Sequence, residues 1–222
     1  MVPIKASTGI INDCDGSSSW EYGSTNYVIC SVSGPMEVRL RAEVTGGATV
    51  EVEVIPAKGL SSTRERYLEQ KIIGALRSIL MAHMNPRSLI HISLQVVQST
   101  DQAMQLTACL NAACLALMDA AIPLSGVIAA SCLATSDSEV LQYNDGRVSG
   151  IADGAPTATH VVCYRYMPGA PPSIAMCESS GPTTKHLLLA CLQKGLESCN
   201  ATHTELEKAM ETKVNKERRW TS

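Results

Sequence analysis

The feature that most restricts the fold is the apolar run from Ala103 to Ala134. A chain that carries such a run must either cross a bilayer or bury what the run forms. Gln105, Asn111, Asp119 and the break at Pro123–Gly126 interrupt it. Polar groups at that spacing do not suit a membrane span, so no membrane partner is expected. Two buried elements fit better. One is a helix, Met104 to Ala121, rich in Ala, Leu and Cys. The other is a strand, Gly126 to Ala134, apolar throughout and therefore covered on both faces. The sequence has no Phe, 2 Trp and 6 Tyr, so the core must be aliphatic. At 222 residues the chain can bury one full core, or at most two small ones. We expect one domain over residues 1–205, with 206–222 as a charged helix end or tail.

Periodicity supplies the other elements. Tyr27 to Val32 reads as a strand ended by Gly34-Pro35. Met36 to Val44 alternates, with Val38, Leu40, Ala42 and Val44 on one face and Arg39, Arg41 and Glu43 on the other. Thr49 to Ile55 alternates too. The intervening Thr45-Gly46-Gly47-Ala48 predicts a hairpin, and a loop of Gly46 to Ala48 matches faces by opposing Leu40 to Val54 and Arg41 to Glu53. Arg39 and Arg41 would then face Glu51 and Glu53. Ser61-Ser62-Thr63 offers N-caps for a helix running to about Met84, with Leu68, Ile72, Leu76, Ile79 and Leu80 as its buried stripe. Ser88 to Val97 is a further strand. With the helix and strand of the apolar run it makes a strand–helix–strand crossover, right-handed if its strands are parallel. Weaker strands follow at Val140 to Tyr143, Thr159 to Tyr166 and Ile174 to Cys177, with a turn at Asn144-Asp145-Gly146. A helix from Thr183 onward repeats Leu188, Leu192, Leu196, Cys199, His203, Leu206, Met210 and Val214 on one face. Its end, Lys213 to Arg219, is expected to fray into solvent. The order predicts an α+β domain.

Charge and cysteine usage exclude whole classes of function. A net charge of -3 and a pI of about 6.0 argue against a broad nucleic-acid-binding face. Contact with RNA would have to run through a few local cations. The 9 Cys are scattered without metal-finger spacing, and the 5 His are equally dispersed, so no metal site is expected. The cysteines read as reduced, buried, small hydrophobes of a nuclear or cytosolic protein.

Several segments, in order along nearly the whole chain, resemble the RNase PH family. DGSSSWEYGSTNYVICSVSGPMEV, opened by Asp15-Gly16-Ser17, is similar to its first strands, with Gly23, Thr25, Val28, Gly34 and Pro35 in place. TRERYLEQKIIGALR, Thr63 to Arg77, is similar to its first helix, and NAACLALMDAAIP, Asn111 to Pro123, to its central helix and exit. The resemblance implies a β-α-β-α domain of the ribosomal protein S5 domain 2-like type, with mixed sheets packed against helices. Within the family the likeness runs to ring subunits of the eukaryotic RNA exosome. Active members usually carry an arginine-rich leader containing Asp-Gly-Arg, and we expect none here. The resemblance further implies a heterohexameric ring with other RNase PH-like exosome subunits, and S1/KH cap proteins above it. Single-stranded RNA would pass through the assembled channel to a separate processive nuclease subunit. It implies a location in the nucleus and nucleolus, and also in the cytoplasm.

Phosphorolysis needs a cationic pocket for phosphate and carboxylates to hold a metal or move a proton. The family's anion motif, Gly-Gly-Thr-Arg-Thr-Ala, aligns with Ala103, Met104, Gln105, Leu106, Thr107 and Ala108. Leu106 thus stands where the phosphate-gripping arginine belongs. The helix N-terminus and Thr107 remain as a weak anion site. Of the family's two acids, the first aligns with Asp153 and the second with Thr159 or Ala158, neither of which ionises. Asp153-Gly154 reads equally as a plain surface turn. The expectation is an inactive family member with no cofactor. The alternative is a self-associating nuclease, phosphorolytic or metal-dependent, with a divergent site around Asp153. An RNA-processing scaffold outside the exosome is a third reading. Candidate RNA contacts are Arg64 and Arg66 at the start of the first helix and Lys58 just before it, meeting phosphates without reading bases. The competing reading is a solvated helix face, with Arg66 paired to Glu69 or Gln70 and the positive charge diluted by Glu65 and Glu69.

Overall fold

The computed structural model describes residues 4–23, 25–135, 140–144, 147–148 and 157–217. In chain order the elements are β1 (Ile4–Thr8), β2 (Gly16–Tyr22), β3 (Asn26–Glu37), β4 (Thr49–Ile55), α1 (Thr63–Arg77), β5 (Ser88–Gln98), α2 (Gln102–Asp119), β6 (Val127–Thr135), β7 (Val140–Asn144), β8 (Arg147–Val148), β9 (Ala158–Tyr166), β10 (Ser173–Ser180) and α3 (Lys185–Glu217). A short 3₁₀ turn, Ala82–Met84, follows α1. Two five-stranded sheets result, ordered β1-β2-β3-β5-β4 and β10-β9-β6-β7-β8. The first is mixed, because β4 and β5 are parallel. The second is antiparallel.

The apolar run does what its composition requires. Every residue of α2 from Met104 to Leu117 is buried, because α2 packs against β2 and β3 of one sheet and β6 of the other. A helix between two sheets has no wet face, and the sequence accordingly shows no polar stripe. Its one fully buried amide, Asn111, is satisfied on both sides. Oδ1 accepts from the Ala130 N–H at 2.8 Å, and Nδ2 donates to the Ala130 carbonyl at 3.0 Å and to the Tyr22 hydroxyl at 3.1 Å. Ala130 lies beyond the Leu133–Thr135 stretch that pairs with β7, so among the described residues its main chain has no strand partner on that side. Asn111 takes that strand's place.

The Asp15-Gly16-Ser17 stretch proves to be an anchor. The Asp15 carboxylate accepts the Gly34 N–H at 2.8 Å. A Cβ at Gly16 would lie 2.4 Å from the Ala120 nitrogen, so only glycine lets β2 sit on the end of α2. The Ser17 N–H donates to Asp119 Oδ2 at 2.8 Å, and Asp119 Oδ1 accepts from Lys213 Nζ at 2.6 Å. Lys213 is therefore docked rather than frayed. α3 runs unbroken through the boundary expected at residues 205 and 206, with Leu206 buried.

Three strand expectations are corrected. β3 continues past Gly34-Pro35 to Glu37 and pairs with β5, and no hairpin joins residues 36–44 to β4. Leu40 is 89% exposed and Val44 51%, so the alternation there does not mark a strand face. Alternation names a face but not a partner, and β5 offers β4 a seven-pair parallel ladder, Thr49–Leu89 through Ile55–Gln95. Arg39 and Arg41 consequently do not face Glu51 and Glu53; Glu53 lies 3.8 Å from His91 instead. The crossover exists one unit earlier than expected, as β4–α1–β5, whereas β5 and β6 belong to different sheets. α1 also stops at Arg77 instead of reaching Met84. β1 and β2, which the periodicity analysis did not assign, form one edge of the first sheet. The predicted turn at Asn144-Asp145-Gly146 falls partly outside the described residues. All nine cysteines are free thiols.

Candidate functional site

The start of α2, the first turns of α1 and the strands β9 and β10 surround a cavity of about 210 Å³. Leu106 and Thr159 both line it. These are the positions that the sequence reading aligned with the phosphate arginine and the second acid, and folding brings them to one place. Met104 is buried, so it does not reach solvent as an anion-facing backbone site would.

The expected weak anion site at the helix N-terminus is not free. Asp101 caps α2, its Oδ1 accepting the Gln102 N–H at 2.7 Å. The positive end of the helix dipole thus already meets a carboxylate. Thr107 donates its hydroxyl to the Ala103 carbonyl at 2.9 Å, which withdraws it from any ligand. Among the described residues no Lys, Arg or His lines the cavity.

The opposite wall carries Glu178, which no local pattern in the amino-acid order singles out. Its carboxylate accepts from the Tyr67 hydroxyl at 2.5 Å and from Lys71 Nζ at 2.6 Å. Burial alone would raise the Glu178 carboxyl, but the Lys71 ammonium and Tyr67 hydroxyl outweigh it and hold it below the usual range. The same hydrogen bond to Glu178 raises Lys71 above its usual value. Lys71 also lies 5.1 Å from the Tyr67 ring centre. The nearest cation is thus neutralised by a carboxylate of this chain. Tyr67, Glu178 and Asp101 are the polar groups that sequence reasoning missed. Lys71 and Glu178 are 107 residues apart, and no local pattern links them.

Lys58, Arg64 and Arg66 are exposed at the junction between β4 and α1. Ser62 caps the helix as expected, and Glu65 completes a capping box: Ser62 N–H and hydroxyl donate to Glu65 Oε2 at 2.8 and 2.6 Å. These bonds hold the Glu65 carboxyl below its ordinary value. Glu69 accepts the Val54 N–H at 3.0 Å. Both acids are hydrogen-bonded to the fold and keep their negative charge beside the arginines, and Arg64 is among the groups that hold the Glu65 carboxyl low. Arg66 makes no ion pair with Glu69 among the described residues, and both arginines are exposed to water. Asp153 lies outside the described residues. No three His, Cys, Asp or Glu side chains converge as a metal cluster would require among the described residues.

Residues 1–123 match the model of the 3' exoribonuclease family, domain 1, known as RNase PH. The chain belongs to the RNase PH family. It is 30% identical over 221 residues to the Saccharomyces cerevisiae exosome complex component RRP46, covering 96% of this chain and 97% of that one. It is 42% identical over 114 residues to the Schizosaccharomyces pombe exosome complex component rrp46, a match to 51% of this chain and only half of that protein's length. Among solved structures, rice Rrp46 superposes with a TM-score of 0.79 at 21% identity, covering 93% of this chain and 94% of that one. A chain of the Archaeoglobus fulgidus exosome with RNA bound to the active site gives 0.70 at 12%, covering 92% and 88%. Both structures share the RNase PH fold with this chain, and the α+β class with sheets packed on helices is the one expected.

Proposed function

We propose that this RNase PH member is a non-catalytic subunit of the eukaryotic exosome ring, helping to form the channel that threads RNA for 3'-5' processing and decay. The observation that supports the reading is the cavity lined by Leu106 and Thr159, because the family resemblance aligns Leu106 with the phosphate-binding arginine and Thr159, or its neighbour Ala158, with the second acid. A buried leucine cannot make the bidentate contact that holds phosphate beside an anionic phosphodiester. The near-full-length similarity to the yeast exosome component supports the ring assignment. Its partners are other RNase PH-like subunits in a heterohexamer, S1/KH cap proteins, single-stranded RNA and a separate processive nuclease. It works in the nucleus and nucleolus, and also in the cytoplasm. Arg64, Arg66 and Lys58 meet RNA phosphates at the channel, without base preference.

Two measurements test this. Purified chain is incubated with single-stranded RNA, with and without phosphate and divalent metal. No release of nucleoside diphosphates is expected, and phosphate-dependent release would favour a self-associating nuclease instead. In the assembled complex, R64E/R66E should weaken RNA binding by about 1 kcal/mol per lost contact and flatten its salt dependence. Equal binding and equal salt slopes would assign the arginines to a solvated helix face.

A further inference from the structure

A cavity of about 580 Å³ lies away from the cavity at Leu106, between β1 and the far half of α3. β1 is an edge strand. The Gly9 N–H donates to the Ser17 carbonyl at 3.0 Å, and by the alternation of antiparallel pairing Ser7 and Lys5 also turn their main-chain groups toward β2. The N–H and C=O groups of Ala6 and Thr8 therefore point to the free edge, and they make no hydrogen bond among the described residues. Beside that edge α3 presents Lys208, Thr212 and Lys216, with Lys213 behind them clamped to Asp119. Among the described residues Lys208 is paired only with Glu205, three residues away along the same exposed helix surface, a contact of little strength. Lys216 makes no ion pair among the described residues. With Lys213 matched by Asp119 and Lys208 partly offset by Glu205, the groove keeps a small excess of positive charge, on a chain whose net charge is -3.

We infer that this groove is a docking site for an extended acidic peptide segment of another protein, added as a further strand to β1. Open main-chain groups on an edge strand are read by another backbone, and the lysines select its side chains. The helix also sets a spacing. Lys208 and Lys216 are two turns apart, about 12 Å along α3. A strand covers that distance in about four residues. Acidic side chains at positions i and i+4 of the peptide, which lie on one face, would meet the two lysines. The groove has no aromatic side chain on which a base could stack, and this favours peptide over RNA.

Fluorescence anisotropy on the full-length chain tests the inference, using a short labelled peptide of alternating Val and Glu. Controls are the same peptide with Lys for Glu and a single-stranded oligouridine. The acidic peptide should bind at least about tenfold more tightly than the basic one. K208E/K216E, both surface changes, should weaken it by a similar factor with an unaltered circular dichroism spectrum. Ala6→Pro removes an edge donor that β2 does not use and should weaken it independently. Equal affinity for the acidic and basic peptides, or unchanged binding by K208E/K216E, would overturn the proposal. So would oligouridine binding that exceeds peptide binding and is lost in K208E/K216E, since the groove would then serve RNA.

Discussion

Asn111→Ala should be among the most destabilising single changes to polar residues in this chain. The side chain is fully buried; among the described groups it alone accepts the Ala130 N–H, and it is the nearer of two donors to the Ala130 carbonyl. Removing it takes the partner from a donor at 2.8 Å and from an acceptor at 3.0 Å, each buried in the contact between α2 and β6. An unanswered buried group costs about 1–3 kcal/mol. The Tyr22 hydroxyl, 3.5 Å from the Ala130 carbonyl, can recover part of the acceptor's loss but none of the donor's. We therefore expect a loss of about 3 kcal/mol. In urea, with a slope of about 3 kcal/mol/M for a chain of this size, the midpoint should fall by about 1 M. Asn111→Leu separates hydrogen bonding from volume: it refills the space, and should lose nearly as much. A loss below about 1 kcal/mol in either variant, at unchanged slope, would refute the argument that Asn111 substitutes for a missing strand.

Gly16→Ala should fail to accumulate as folded protein or lose several kcal/mol, because its Cβ would sit within 2.6 Å of Ala116 and Ala120 atoms, two of them backbone; thermal melts check this, and a near-neutral result would show that β2 does not rest on α2. Ser62→Ala should cost about 1 kcal/mol at neutral pH through loss of the capping box. Glu65 is held below its usual value in the folded state, so its contribution is present above the ordinary carboxylate range and lost as pH falls through the folded value; the gap between wild type and S62A should therefore narrow on acidification, and a gap independent of pH would exclude the Glu65 carboxylate from the cap. A thiol reagent applied to the native chain should label exposed Cys177 first and half-buried Cys14 next, leaving the seven buried cysteines until unfolding; early labelling of Cys109 or Cys114, read by mass spectrometry, would contradict the burial of α2.

Much of the fold was legible because it is written in short periods. The spacing of Leu68, Ile72 and Leu76 located the buried face of α1, and Ser62 marked its start. The predominantly apolar make-up of α2 and β6, with no polar stripe, foretold that both would be enclosed. The resemblance to the RNase PH family, carried by residue types and order, also implied the alignment of Leu106 with a phosphate arginine and of Thr159 or Ala158 with an acid. These are properties of a residue and its near neighbours, and a helix or strand repeats them every few positions.

What the tertiary structure decided are the pairings. Alternation in residues 36–44 and in β4 was compatible with a hairpin, yet β4 joined β5 in parallel, because a face pattern does not specify which strand lies alongside. The Lys71–Glu178 contact that neutralises the nearest cation to the cavity spans 107 residues, and Lys213 reaches Asp119 across 94. Neither has a local signature, since a lysine on a helix face looks the same whether it ends in water or on a carboxylate. The amino-acid order by itself determined which segments must be buried and which side chains are available for chemistry. Only the packing of the two sheets about α2 determined which of those side chains meet, because contact between distant segments depends on the whole chain closing at once.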